Sequence, residues 1–156
     1  QELSRLDLVS VRGKRSVING LQSVEAKEVI ERFEFDKNLS FDAVFPFTYA
    51  VDLLEGNLIV PNFNSRLLKK VPHATHATLQ LIVVGLDFEH QNSFIQNSSN
   101  KITLSLQNAT EADLEFSCAL PESPNVFVLL HLEFFQRVNA VDYDLQAGGL
   151  KIVGFL

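Results

Sequence analysis

Methionine and tryptophan are absent from this 156-residue chain, tyrosine occurs twice and cysteine once. A lone cysteine has no partner for an intramolecular disulfide. Cys118 sits in an apolar alternation with Leu114, Phe116 and Leu120, which is the setting of a small buried hydrophobe rather than of an exposed nucleophile. The scarcity of tryptophan and tyrosine argues against a sugar-binding platform, which favours aromatic rings that carry a polar tip. No apolar run reaches the ~18 residues of a membrane-spanning helix, and no N-terminal stretch has the layout of a signal peptide. Basic charge is in deficit as well. Thirteen Lys and Arg stand against 19 Asp and Glu, a net charge of -6, which argues against the basic footprint that nucleic acid requires. Position 1 is glutamine rather than methionine, the start expected of a processed product or of a piece of a longer chain.

What is present is apolar and rich in phenylalanine. Hydrophobic residues make up 46% and charged residues 21%, the balance of a globular chain, and this length suits one domain with a sizeable core. The longest apolar run is Asn125–Val138. Val126, Val128, Leu130, Leu132 and Phe134 would share one face of a strand, and Phe127, Leu129 and Phe135 the other. A strand apolar on both faces is normally interior, so this run is expected to be the central strand of a sheet.

The rest of the chain is ordered around it. Leu3–Val11 alternates imperfectly and is expected as a first strand, followed by a basic turn at Arg12-Gly13-Lys14-Arg15. Ser23–Glu31 opens on a capping residue and continues with good helix formers, so a short helical connector is expected there. From Phe33 onward short strands alternate with turn residues. Ala43–Leu54 and Leu58–Phe63 flank a Glu55-Gly56-Asn57 turn, a hairpin signal. Pro46 and Pro61 lack a backbone donor and belong at an edge or a bulge. Ala74–Glu89 is a second long strand, in which Gly85 suggests a bulge or a close approach. Ser93–Gln96, Lys101–Leu106 and Ala112–Leu120 are further strands, and Leu150–Leu156 is the last. The expectation is an all-β antiparallel sandwich of immunoglobulin or fibronectin type III kind, with a small jelly roll as the alternative. Residues 1–36 would be an N-terminal strand and helical connector, and residues 37–156 the sandwich domain.

Several patches carry a resemblance. They are Arg12-Gly13 with Ser16-Val17-Ile18-Asn19, Phe33-Glu34-Phe35-Asp36, Val71-Pro72-His73-Ala74-Thr75-His76 and Leu86-Asp87-Phe88-Glu89. To these are added Leu132-Glu133-Phe134-Phe135-Gln136-Arg137-Val138-Asn139, then Tyr143, Leu145, Gly148 and Ile152-Val153. Together they resemble a group of uncharacterised Bacteroidetes proteins whose C-terminal half is a β-sandwich. The resemblance implies the sandwich and a further N-terminal region, and it brings no activity or catalytic residues.

Chemistry-bearing patterns are thin. His73 and His76 form an H-x-x-H pair, but at a strand entrance residues three apart point to opposite faces, so scattered histidines are expected rather than a metal site. The acidic pairs Asp87 and Glu89, Glu111 and Asp113, and Asp142 and Asp144 fit neither a glycosidase cleft nor a calcium loop. No serine-elbow, phosphate-loop, dinucleotide or zinc-protease motif occurs. No cofactor and no enzymatic activity are expected. The leading expectation is a structural or self-assembling unit whose partner is a second copy or another protein. Its contacts would involve β edges, exposed phenylalanines and the N-terminal apolar set Leu3, Leu6, Leu8, Val9 and Val11. The alternative is a module binding a glycan or a protein through loop residues Arg66, Lys69, Lys70, Asp142 and Asp144.

Overall fold

The computed structural model describes residues 1–90 and 94–156. Four short helices come first: α1 (Glu2–Arg5), α2 (Val17–Leu21), α3 (Val24–Glu31) and α4 (Phe41–Val44). Eight strands follow: β1 (Ala50–Asp52), β2 (Asn57–Asn64), β3 (His76–Leu86), β4 (Phe94–Ser98), β5 (Ile102–Ser105), β6 (Glu111–Ser117), β7 (Asn125–Val138) and β8 (Val141–Phe155). All of their pairings are antiparallel. They form two sheets, one in the order β1-β2-β6 and the other in the order β4-β3-β7-β8, with β5 also on β3.

The two sheets face each other across one core, so the molecule is a β-sandwich. Leu79, Leu81 and Val83 of β3 alternate inward, as do Val126, Val128, Leu130, Leu132 and Phe134 of β7. They meet Leu58, Val60 and Phe63 of β2 and Leu114 and Phe116 of β6. Phe41, Val44 and Phe45, in and just after α4, close one end, where Phe45 contacts Phe41 and Phe63 at centroid separations of 5.6 and 6.2 Å. Each such side chain withdrawn from water contributes about 1.5–3 kcal/mol.

The central strand matches its expected bounds, Asn125–Val138, and lies between β3 and β8. Its second face is covered by α1–α3. Ser23 caps α3 by accepting the Ala26 N–H at 3.2 Å, and Ala26 and Ile30, one turn apart, are buried. The opposite side of α3 carries the pairs Lys27–Glu31 and Arg32–Glu28. This helix is therefore a covering element rather than a mere connector. Helix α1 lies so close to α2 that a Cβ added at Gly20 would collide with the Leu3 carbonyl.

The edge of the larger sheet beside β3 is broken. β4 pairs with Ile82–Leu86 and β5 with His76–Leu79, and between them Ser99 is drawn inward. Its hydroxyl accepts the Leu81 N–H at 3.0 Å, and its carbonyl accepts Gln80 Nε2 at 2.8 Å. Pro61 falls at a register shift between Val60 and Phe63, in keeping with its missing donor. At Gly85 the register with β7 is unbroken. An added Cβ there would come within 2.7 Å of Ser123 and 2.9 Å of Pro121, so a close approach rather than a bulge explains the residue.

Four segments differ from the sequence reading, the first being that the strands expected from Phe33 onward begin only at Ala50. Leu3–Val11 is not a strand: it is the turn of α1 followed by a loop, because the Asp7 carboxylate takes the Val9 and Ser10 N–H groups that a ladder would need. Ala43–Leu54 divides into α4, an extended segment and the three-residue β1, since Pro46 cannot donate to either a helix or a ladder. The last strand starts at Val141, well before Leu150. Asn139 and Ala140 have φ of 50° and 62° and make a two-residue hairpin turn, which puts Asp142 and Asp144 in a strand rather than in an acidic turn. Ser93, expected to open a strand, lies outside the described residues.

The two-sided burial of β7 gives a direct stability test. Leu130→Ala removes a fully buried side chain between the sheets and is expected to cost about 2–5 kcal/mol in urea unfolding. Phe94→Ala, on an exposed edge strand, should change stability by no more than about 0.5 kcal/mol.

Candidate functional site

The N-terminal apolar set is divided by Asp7. Leu3 turns toward the sheet and Leu6 is half-buried, whereas Leu8, Val9 and Val11 are 82%, 90% and 68% exposed. Asp7 itself is buried. One carboxylate oxygen accepts the Val9 and Ser10 N–H groups at 3.1 and 2.9 Å, and the other accepts the Ser16 N–H at 2.9 Å and Asn19 Nδ2 at 3.3 Å. Asn19 also donates to Ser10 Oγ, and Ser16 Oγ caps α2 by accepting the Asn19 N–H. These donors, the Ser16 N–H foremost, hold the Asp7 carboxyl far below the usual carboxylate range. The loop is thus tied at its base while its tip faces solvent.

The expected ligand residues do not converge. Arg66 lies in a 3-10 turn (Ser65–Leu67) whose Arg66 N–H is capped by Asn64 Oδ1 at 3.0 Å, and Lys69 and Lys70 follow it on the surface. None of the three pairs with Asp142 or Asp144 among the described residues. Asp142 is committed elsewhere. Directly across the hairpin, Arg137 donates Nε and Nη2 to its two oxygens at 2.6 and 2.8 Å, and buried His76 lies 3.4 Å away. The Arg137 side chain lowers the Asp142 pKa to about 2. His76 stacks on Phe135 at 5.6 Å, and its Nδ1 meets Thr75 Oγ1 at 3.0 Å. Asp144 accepts the Gln146 N–H at 2.7 Å. The Asp142 cluster ties the end of the β7–β8 hairpin to the start of β3, a structural task for a carboxylate expected in a ligand loop.

His73 is exposed while His76 is buried, so the H-x-x-H pair is split. Among the described residues no group of three or more His, Cys, Asp or Glu is placed to hold a metal ion. The Cys118 thiol is buried and its pKa is raised by that burial, the opposite of the shift that activates a nucleophilic thiolate.

Between the helices and the outer face of the larger sheet is an apolar cavity of about 490 Å³. Val84 and Leu86 of β3, Phe127 and Leu129 of β7 and Ile152 of β8 form its floor. Leu3, Val17, Val29 and Ile30 form its roof, and Phe33 and Phe35 stand at its side in an edge-to-face pair 5.0 Å apart. Its few polar lining groups belong to Gln1 and Glu2. The volume and lining are those of a small-molecule pocket.

No protein-family model, curated protein or solved structure matches this chain.

Asp7 was the residue that sequence reasoning missed. The signal available was a carboxylate inside the apolar stretch Leu6-Asp7-Leu8-Val9, where a strand interior has no use for it. The cavity also left a trace, since the outer-face residues Phe127 and Leu129 called for a covering layer.

The Asp142 pairing has a pH signature. Its folded pKa lies below the unfolded value of 3.8, so its contribution is fully present above about pH 4 and is lost as pH falls toward about 2. The protection factors of the Val138–Tyr143 amides, taken against the intrinsic exchange rate at each pH, should therefore fall over that interval. In Asp142→Asn these protection factors should be low already at neutral pH and change little with acid.

Proposed function

We propose that this protein is a non-catalytic β-sandwich that acts as a structural or self-assembling unit, with the hairpin end of β8 as its contact. One observation carries the reading. β8 is 15 residues long and β7 is its only strand partner among the described residues. Its opening stretch Val141–Asp144, where Val141 and Tyr143 are 51% and 54% exposed, extends past the start of β3 beside exposed Val138 and ends at a register shift across 145–147. A long strand with a free side offers a row of backbone donors and acceptors to another chain, and exposed apolar side chains beside it supply the affinity. Farther along, α4 approaches this strand, with Phe41 against Gly149 and Asp42 bonded to Lys151, so the open part is the hairpin end.

Within the sandwich class, we infer a fibronectin type III-like arrangement. Three strands, β1-β2-β6, oppose a sheet in the order β4-β3-β7-β8, which supports that reading over a jelly roll. Modules of this shape serve many unrelated roles, so the fold bears on architecture and not on activity.

The test is solution mass by light scattering. The chain is 17.5 kDa, and at high concentration a multiple of that mass is expected. Val141→Lys with Tyr143→Lys should return the mass to a single chain, since charge on an edge opposes strand addition. Assembly that persists in this variant overturns the β8 contact. Deleting residues 1–32 would be a poor substitute, because it strips the helices from Phe127 and Leu129 and exposes a new apolar face.

A second reading rests on the cavity: a module that binds a small apolar ligand between helices and sheet. Its geometry favours an apolar molecule over a glycan, because the charged loop residues do not form a cleft. A monomeric chain that enhances the fluorescence of 1-anilinonaphthalene-8-sulfonate, with the signal lost in a folded Val29→Trp variant, would support it. A monomeric chain with no enhancement would remove it.

A further inference from the structure

The loop formed by residues 8–15 is built, charged and apolar at once, and the β8 contact makes no use of it. A slack loop would fold Leu8, Val9 and Val11 back onto the protein; this one holds them out. The Asp7 carboxylate fixes the base on the N–H groups of Val9, Ser10 and Ser16. The tip is a turn from Val11 to Lys14, closed by the Lys14 N–H on the Val11 carbonyl at 3.0 Å, with Gly13 at φ +94° as its corner. A Cβ at Gly13 would meet nothing within 4 Å, so the turn stands clear of the body.

Charge is the second, independent observation. Arg12, Lys14 and Arg15 lie within the loop, and Arg15 Nη1 reaches the Arg5 carbonyl at 3.4 Å, which brings a fourth cation to its base. The acidic residues of this stretch are Glu2 and Asp7, and the Asp7 carboxylate is consumed by its donors. A chain of net charge -6 thus gathers four cations around an exposed aliphatic tip.

We propose that this loop docks the protein on an anionic phospholipid surface. Leu8, Val9 and Val11 enter the boundary between headgroups and acyl chains, and Arg5, Arg12, Lys14 and Arg15 bond lipid phosphates. The chemistry favours lipid over a protein partner. Protein hot spots centre on aromatic rings fitted to pockets, and the loop 8–15 carries no aromatic residue. Small aliphatic side chains need no matched pocket in hydrocarbon. The acidic body is repelled by an anionic surface, so approach is loop-first. Because the loop is already ordered, little conformational freedom is lost on docking.

The experiment is flotation of the full chain with vesicles of equimolar phosphatidylcholine and phosphatidylglycerol, and with phosphatidylcholine alone. Binding is expected to the mixed vesicles only, and to weaken at about 1 M salt, where charges farther apart than ~3 Å are screened. Leu8→Ser with Val9→Ser and Val11→Ser should lower the bound fraction about tenfold or more. Arg12→Glu with Lys14→Glu and Arg15→Glu should abolish binding. All these side chains are exposed, so circular dichroism should show both variants folded. A native chain that ignores the mixed vesicles, or binds them equally well after both sets of changes, overturns the proposal. If vesicle binding is absent and the serine variant instead lowers the mass seen by light scattering, the loop is a protein contact and the proposal also falls.

Discussion

Burial of β7 on both faces is the constraint on which the rest of the structure depends. One face needs a second sheet, which β2 and β6 provide through Leu58, Val60, Leu114 and Phe116. The other face, with Phe127 and Leu129, needs a cover that the strands do not supply, and α1–α3 provide it. The layering of helices on sheet on sheet follows from one apolar run. The cover is imperfect. Short helices laid across a twisted sheet cannot fill every space above it, and the cavity is the part left over.

What could be read from the sequence was local. The bounds of β7, the Ser23 cap, the turn at Glu55-Gly56-Asn57 and the special status of Pro61 rest on periodicity or on single-residue chemistry, which a sequence displays directly. What could not be read was decided by partners distant in sequence or by geometry with no residue signature. Leu3–Val11 looked like a strand until a buried carboxylate claimed its donors. Ala140 gives no hint of positive φ, so nothing in the sequence marks the two-residue turn or the early start of β8. Gly85 marked a constraint correctly, but only the position of Pro121 and Ser123 reveals which one.

The same division applies to the candidate surfaces. Charged residues in turn-like stretches look like ligands, yet charge alone does not say whether a side chain is free. Asp142 is spent on Arg137 and His76, whereas Arg12 and Lys14 remain open to solvent. The apolar N-terminal set needs cover, and the chain answers in two ways. Leu3 is covered by its own fold, and Leu8, Val9 and Val11 are displayed. The switch between the two occurs at Asp7.

The break at Ser99 bears on the symmetry of any complex formed through the larger sheet. A strand pair that grows without limit needs two continuous edges, one to accept and one to offer. Here one edge is split into β4 and β5 by a residue pulled inward, and the other, β8, keeps an unbroken register with β7 from Val141 to Asp144 before a shift across 145–147. When that short stretch pairs antiparallel with its own likeness on a second copy, the two are related by a twofold axis. Such pairing closes on itself at two copies and gives no fibre.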